Sequence, residues 1–246
     1  MIEDLWLIGI GTGALGHITL EGREAIRKAR VVLVPKKGED KENLATLRYQ
    51  ILEAAGFQGK IVDFDYPTRD PSIPYLARVY AWHDAIASRW IDAIDKARVE
   101  GPVALLVWGD PSLYDSTIRI ANRLTPRPNL RVVPGITAIQ ALAAAHQIPL
   151  NTIGGPIEIT TGRRLRNLGW PKGAESVVVM LDGDAAFLDV GPPHCHIWWG
   201  AYLGTPYEII RAGPRESLVD DIRSLRQEAR ARHGWIMDTC LLRAEP

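Results

Sequence analysis

Two short apolar runs, Val103–Val107 and Leu130–Val133, each end on a turn that a helix cannot absorb. The first is the Gly-Asp-Pro turn at 109–111, and the second is Pro-Gly-Ile-Thr-Ala at 134–138. A stretch with helical periodicity follows each turn. Apolar runs of this length, cut off by Gly and Pro and followed by helices, are buried strands of an α/β sheet. Ligands of such sheets sit outside the carboxyl ends of the strands, where these two turns lie. The segment Val103–Gly154 therefore predicts a binding crevice built from backbone turns.

The rest of the chain alternates in the same way. Strands are expected at Leu5–Ile10, Val31–Pro35 and Ile61–Phe64, with helices at Leu20–Ala29 and Asn43–Ala55. A charged loop, Lys36–Lys41, and a Pro-rich connection, Asp65–Pro74, interrupt them. Tyr75–Arg98 carries Leu76, Val79, Ile86, Trp90, Ile91 and Ile94 on one helical stripe. Beyond the Pro134 turn come a helix at Ala138–His146 and strands near Ile157–Thr161, Ser176–Met180 and Ile197–Tyr202. A helix at Ser217–Arg232 stops before Gly234, a C′ glycine, and Trp235–Leu242 is the last strand. A shift to Pro and Arg around Pro126–Asn129 predicts two lobes, residues 1–125 and 126–246.

Several function classes are disfavoured. Lys plus Arg number 29, as do Asp plus Glu, so no net field steers the chain toward nucleic acid or anionic membrane. Cys195 and Cys240 form no CxxC and no disulfide framework, which suits a reducing compartment. With no signal-like n-region and no membrane-length apolar stretch, a cytoplasmic protein is expected. His194, Cys195 and His196 are too few for a closed metal site, and strand alternation points neighbours to opposite faces, so no metal is expected. The tryptophans, such as Trp82, Trp90, Trp198 and Trp199, read as packing residues.

The stretch from Gly11 to Gly16 satisfies G-x-G-x-x-G after a strand, yet its context argues against a dinucleotide site. Three residues separate the last glycine from the helix, and the next strand ends in Pro35-Lys36-Lys37 rather than an acid. Its glycines either make a tight turn of positive φ or let backbone approach a ligand closely.

The stretches GIGTGALGHITLEGREAIRKARVVL, LLVWGDPSLYDSTIRI and VVPGITAIQALAAAHQIPL, in this order, resemble the tetrapyrrole methylases. The resemblance implies the class III methyltransferase fold: two α/β lobes, S-adenosylmethionine in the trough between them, S-adenosylhomocysteine as product, and a homodimer. By position it assigns Thr12, Trp108, Gly109, Asp110, Leu113, Thr137, Ala138, Met180 and Gly204 to the cofactor. Gly11 and Gly13, in the glycine loop, fall to the tetrapyrrole. Arg163 and Arg164 either form a solvated charge run with Arg166 or pair with the substrate's carboxylate arms. Where the family has Pro and an acid, this chain has Thr12 and Ala14. ITTGRRLRNLG, VVVMLDGDAAF, WGAYLGTPYEI and ARHGWIMDTCLLR narrow the likeness to a deacetylating C-methylase of cobalamin synthesis. Such an enzyme methylates precorrin-5 at C1 and releases acetate.

These turns suit methyl transfer, an in-line displacement that depends on alignment more than on acid–base help. Loss of an acetyl group is different, because water attacking a carbonyl requires a base. Asp115 and Tyr114, directly after the Gly-Asp-Pro turn, are the expected candidates. His17, Glu158 and Asp182 also lie beside the expected crevice, and His83 and Asp84 occupy a helix face.

Overall fold

The computed structural model describes residues 2–36 and 42–244. They form two units, Met1–Thr137 and Ala138–Pro246. Residues 37–41 of the expected charged loop lie outside the described residues.

In the first unit, β1 (Asp4–Gly9), β2 (Val31–Lys36), β3 (Lys60–Asp65), β4 (Val103–Val107) and β5 (Asn129–Val133) make one sheet. Its order is β3-β2-β4-β1-β5, and every pairing is parallel. The helices are α1 (Leu20–Lys28), α2 (Glu42–Ala55), α3 (Tyr75–Ala97) and the short α4 (Thr117–Ala121). Alternation along the strands sorts the core into two faces. Leu5, Leu7, Val31, Leu33 and Leu105 pack with Ile86, Trp90 and Ile94 of α3. Ile8, Val32, Val34, Ala104 and Leu106 pack with Ile26 of α1 and Ile51 and Leu52 of α2. Strands covered on both faces read as unbroken apolar runs, which is why they are visible in the sequence. The Thr19 hydroxyl accepts from Gly22 N at 2.9 Å and starts α1. The stripe expected on α3 is buried only in part, since Leu76 is exposed while Ile86, Trp90 and Ile94 are not.

The boundary between units is later than the composition suggests. β5 pairs in register with β1, Leu5 beside Leu130 and Leu7 beside Val132, so the chain completes the first sheet before leaving it. Pro126–Asn129 is a connection inside the first unit, and the expected break between 125 and 126 is corrected to one after Thr137.

In the second unit, β6 (Ile157–Thr161), β7 (Ser176–Met180), β8 (Cys195–Ala201), β9 (Ile209–Pro214) and β10 (Asp238–Ala244) are ordered β6-β7-β10-β8-β9. Its helices are α5 (Ala138–His146), α6 (Gly162–Leu168), α7 (Ala186–Asp189) and α8 (Arg215–His233). β6 and β7 are parallel, and β10 runs antiparallel to both β7 and β8. The carboxyl ends of β6, β7 and β8 therefore share one edge. Val177, Val179, Ile197, Trp199 and Leu242 form the core with Phe187 and Ile222. Cys195 is buried there, while the His196 ring lies against Trp198, centroids 4.2 Å apart. The last strand starts at Asp238, three residues later than its apolar pattern suggests. Among the described residues no helix is long and apolar enough to cross a membrane.

Candidate active site

Three strand ends of the first sheet meet on glycine. β1 ends at Gly9, β4 runs into Gly109 and β5 into Gly135. A Cβ on Gly9 would stand 2.6 Å from Gly135 N and 2.8 Å from Gly109 O. The glycine requirement is steric, because three backbones occupy the space of any side chain. Gly109, at φ 64°, donates its N–H to Gly11 O at 2.7 Å, and Gly11 N donates to Gly109 O at 3.3 Å. This pair of bonds ties the glycine loop to the Gly-Asp-Pro turn.

Asp110 clasps the second and third strand ends together. Its Oδ2 accepts from Gly135 N at 2.9 Å, and its Oδ1 accepts from Ser112 N at 2.8 Å and from the Ser112 hydroxyl. Burial pushes this carboxyl up, but the hydrogen bonds outweigh burial and hold it below its ordinary 3.8. A carboxyl depressed in the fold stabilises it above the unfolded value. That contribution is lost as the pH falls through the lower folded value, so the clasp holds at neutral pH and fails only in acid. For the cofactor that the family resemblance implies, Asp110→Ala is expected to weaken S-adenosylhomocysteine binding about tenfold, the loss of roughly 1.4 kcal/mol, without unfolding the chain. Titration calorimetry and circular dichroism check this; unchanged affinity would remove Asp110 from the site.

The neighbouring candidates take distinct places. Leu113 N closes the turn onto Asp110 O at 3.2 Å. Tyr114 follows at φ 50°, a left-handed conformation that costs a non-glycine residue about 1–3 kcal/mol and concentrates at functional sites. Asp115 Oδ1 accepts from the N–H and hydroxyl of Thr117, at 2.6 and 2.5 Å, so one oxygen of the expected base is spent on starting α4. The Thr137 Cα lies 3.7 Å from the position a Gly109 Cβ would take. Gly13, at φ 104°, lies so close to Trp108 that a Cβ there would be 2.9 Å from the ring. Thr12 Oγ1 and His17 Nδ1 share a hydrogen bond of 2.8 Å.

Arg48 has no counterpart in the sequence reading. It sits on the buried side of α2, three and four residues before Ile51 and Leu52, with its guanidinium 5.0 Å from the Trp108 ring centroid. Its Nε donates to Leu106 O at 3.3 Å and its Nη1 to Leu44 O at 3.2 Å. Burial pulls it down to about 10, against the opposing charges of Tyr66 and Asp115. Burial likewise pushes Tyr66 up to about 12. The available signal was a cation on the inward stripe of an amphipathic helix.

In the second unit Arg163, Arg164, Met180 and Gly204 lie at or just after the carboxyl ends of β6, β7 and β8. Ala138 is the first residue of α5. Arg163 and Arg164 occupy the exposed first turn of α6, where Arg164 N donates to the Thr161 hydroxyl at 3.3 Å. Arg166 is engaged by Asp184 at 2.8 Å. Met180 ends β7 and is followed by Leu181 at φ 52°; Tyr202, at φ 50°, precedes Gly204 at φ 74°. Gly204 N donates to Glu208 Oε2 at 2.7 Å. Left-handed residues thus flank both positions.

The tetrapyrrole (corrin/porphyrin) methylases match the chain over residues 4–219. The chain belongs to the tetrapyrrole methylases. Within them it is 44% identical to a precorrin-6A synthase [deacetylating] from Sinorhizobium sp over 250 residues, 98% of this chain and 95% of that protein. It is similar in structure to a cobalamin synthesis related protein from Corynebacterium diphtheriae, with TM-score 0.84, 37% identity and 99% of each chain covered. A uroporphyrin-III C-methyltransferase from Thermus thermophilus, solved with S-adenosyl homocysteine, shares the fold at TM-score 0.61 and 18% identity, covering 97% of this chain and 96% of its own. The tetrapyrrole methylase fold, of the class III methyltransferase type, is therefore the fold of this chain.

Proposed function

We propose that this tetrapyrrole methylase is an S-adenosylmethionine-dependent C-methyltransferase of cobalamin biosynthesis, converting precorrin-5 to precorrin-6A by methylation at C1 with release of acetate. The observation that carries the reading is the near full-length 44% identity to a precorrin-6A synthase [deacetylating]. The strand ends of the first unit support it. Gly9, Gly109 and Gly135 let three backbones come together where the turns meet, and the Asp110 carboxylate that orders them is already satisfied. Such a cradle sets no unsatisfied side-chain charge against a zwitterionic ligand. By the family resemblance, Gly109, Leu113, Thr137, Ala138, Met180 and Gly204 would hold the cofactor. When bound, the cofactor supplies an electrophilic methyl on a sulfonium. The chain's own part is to align that methyl with the ring carbon and to manage the proton of the attacking water. Trp108 contributes backbone, because its ring is held against Gly13 and beneath Arg48. Arg163 and Arg164, both exposed, would meet the carboxylate arms of the substrate. A homodimer in the cytoplasm completes the reading.

Calorimetric titration with S-adenosylhomocysteine tests the cofactor, and absence of binding would end the methylase reading. Incubation with precorrin-5 and S-adenosylmethionine tests the reaction. Acetate and a C1 methyl are expected in equal amounts; a methyl without acetate would assign the chain to another ring carbon.

A further inference from the structure

We infer that His17 is the base that activates water for acetyl removal and that Thr12 orients it. The inference rests on the function proposed above and goes beyond it, because it moves the water-activating role from Asp115 and Tyr114, the candidates expected from sequence, to the glycine loop. Between Gly9 and Thr19 His17 is the one imidazole and there is no carboxylate, Ala14 standing where the family has an acid.

The fold brings this imidazole back to the strand ends. His17 closes a single 3-10 turn, Leu15–His17, and its N–H donates to Ala14 O at 2.9 Å. A Cβ on Gly11 would lie 2.6 Å from His17 Cβ, so the glycine is what lets His17 fold against the loop. Gly11 is also the residue doubly bonded to Gly109. The root of the imidazole is therefore one residue from the joint between the glycine loop and the Gly-Asp-Pro turn. The ring is partly buried, and its Nδ1 is 2.8 Å from Thr12 Oγ1. With Nδ1–H donating to Thr12, Nε2 keeps its lone pair and acts as the acceptor. In the proposed tautomer Thr12 fixes the orientation of the ring, as a partner on the second nitrogen does for a catalytic histidine. Asp115 is less suited, since its Oδ1 already takes two hydrogen bonds from Thr117.

In the step assigned to this pair, His17 Nε2 takes a proton from water as the water oxygen bonds to the acetyl carbonyl carbon. The carbonyl π pair moves to its oxygen. When that pair returns, the bond between ring C1 and the acetyl carbon breaks, and its electrons stay on C1, the carbon to be methylated. The acetic acid then loses its acidic proton to solvent and leaves as acetate, and His17 Nε2 releases the proton taken from water to solvent.

The experiment measures acetate release in a single turnover with precorrin-5 and S-adenosylmethionine, for the full chain and for His17→Ala, His17→Gln, Thr12→Val and Thr12→Ser. His17→Ala is expected to slow acetate release by about 10²–10⁴-fold, the usual contribution of a general base. Affinity for S-adenosylhomocysteine should stay within about threefold, and added imidazole should restore part of the rate. His17→Gln, which keeps volume but not basicity, should be as slow. Thr12→Val should slow acetate release about tenfold, and Thr12→Ser should recover it, as expected of a positioning hydroxyl. Acetate release within threefold of wild type in His17→Gln would overturn the proposal. So would a slow His17→Ala that imidazole does not accelerate and that no longer binds S-adenosylhomocysteine, since that marks a structural role. A wild-type protein that binds S-adenosylhomocysteine but releases no acetate would overturn the proposed reaction itself, before any variant is compared.

Discussion

Gly135→Ala is expected to destabilise the first unit by about 3 kcal/mol or more, at or beyond the top of the usual overpacking range. An alanine methyl at 135 would sit 2.1 Å from Gly109 O and 2.8 Å from the Gly9 backbone. Side-chain clashes relax by rotamer changes, but none is available here. Gly109 O accepts from Gly11 N, and Gly135 N is held by Asp110, so moving either segment breaks a hydrogen bond of the cradle. A shift of this size lowers the melting temperature by roughly 6–12 °C for a domain of this size class. Thermal and urea unfolding measure it. Gly16→Ala is the control, since a Cβ there meets nothing within 4 Å, and it should change stability by no more than about 0.5 kcal/mol. If Gly135→Ala were as stable as Gly16→Ala, the three-strand contact would not be close-packed. Because the same backbone forms the cradle, Gly135→Ala should also abolish S-adenosylhomocysteine binding.

How much of this was legible depended on which physical signal each element carries. Buried parallel strands advertise themselves by apolar runs, so β1, β2, β4 and β5 were readable, as was the crevice at their ends. β9 was not, because Ile209–Pro214 is an edge strand that ends in Gly-Pro, a turn signature. α6 was not legible as a helix because GRRLRNL buries only Gly162 and Leu165, and its start is set by the Thr161 cap rather than by an apolar stripe. Asp110 was legible as a turn former and crevice residue, but its clasp on Gly135 joins positions 25 residues apart, which no local pattern encodes. Arg48 was hidden for a related reason, since its position is set by tertiary contacts with Trp108 and Leu106. His17 was legible as a neighbour of the crevice, but its packing against Gly11 was not.

Asp238→Ala is expected to destabilise the second unit by about 3–5 kcal/mol, the cost of leaving a buried charge without its partner. Arg226 and Asp238 are 5% and 7% exposed at their side chains and meet at 2.5 Å. Asp238 Oδ2 also accepts from Trp199 Nε1 at 2.8 Å, and Arg226 Nη2 donates to Asp182 O at 2.7 Å. The pair thus joins α8, β10, the core tryptophan and the loop after β7. Truncating Asp238 leaves the guanidinium with carbonyl partners alone and the indole N–H with none. Burial is the largest influence on Asp238 and pushes its carboxyl up, with Arg226 and Trp199 pulling it back. A carboxyl raised in the fold favours the acid form there. Its contribution to stability is therefore present below the unfolded value and declines as pH rises through the folded one. Asp238→Asn, which retains an acceptor for Trp199, should cost less than Asp238→Ala and remove that part of the pH slope. Replacing both partners by apolar residues of similar volume should cost less than either truncation, because no orphan charge remains. Urea unfolding of the two single variants and the double variant forms the cycle that measures this coupling. Additive losses would show that the two side chains stabilise the unit independently, and that the junction beneath the Met180 edge does not depend on their ion pair.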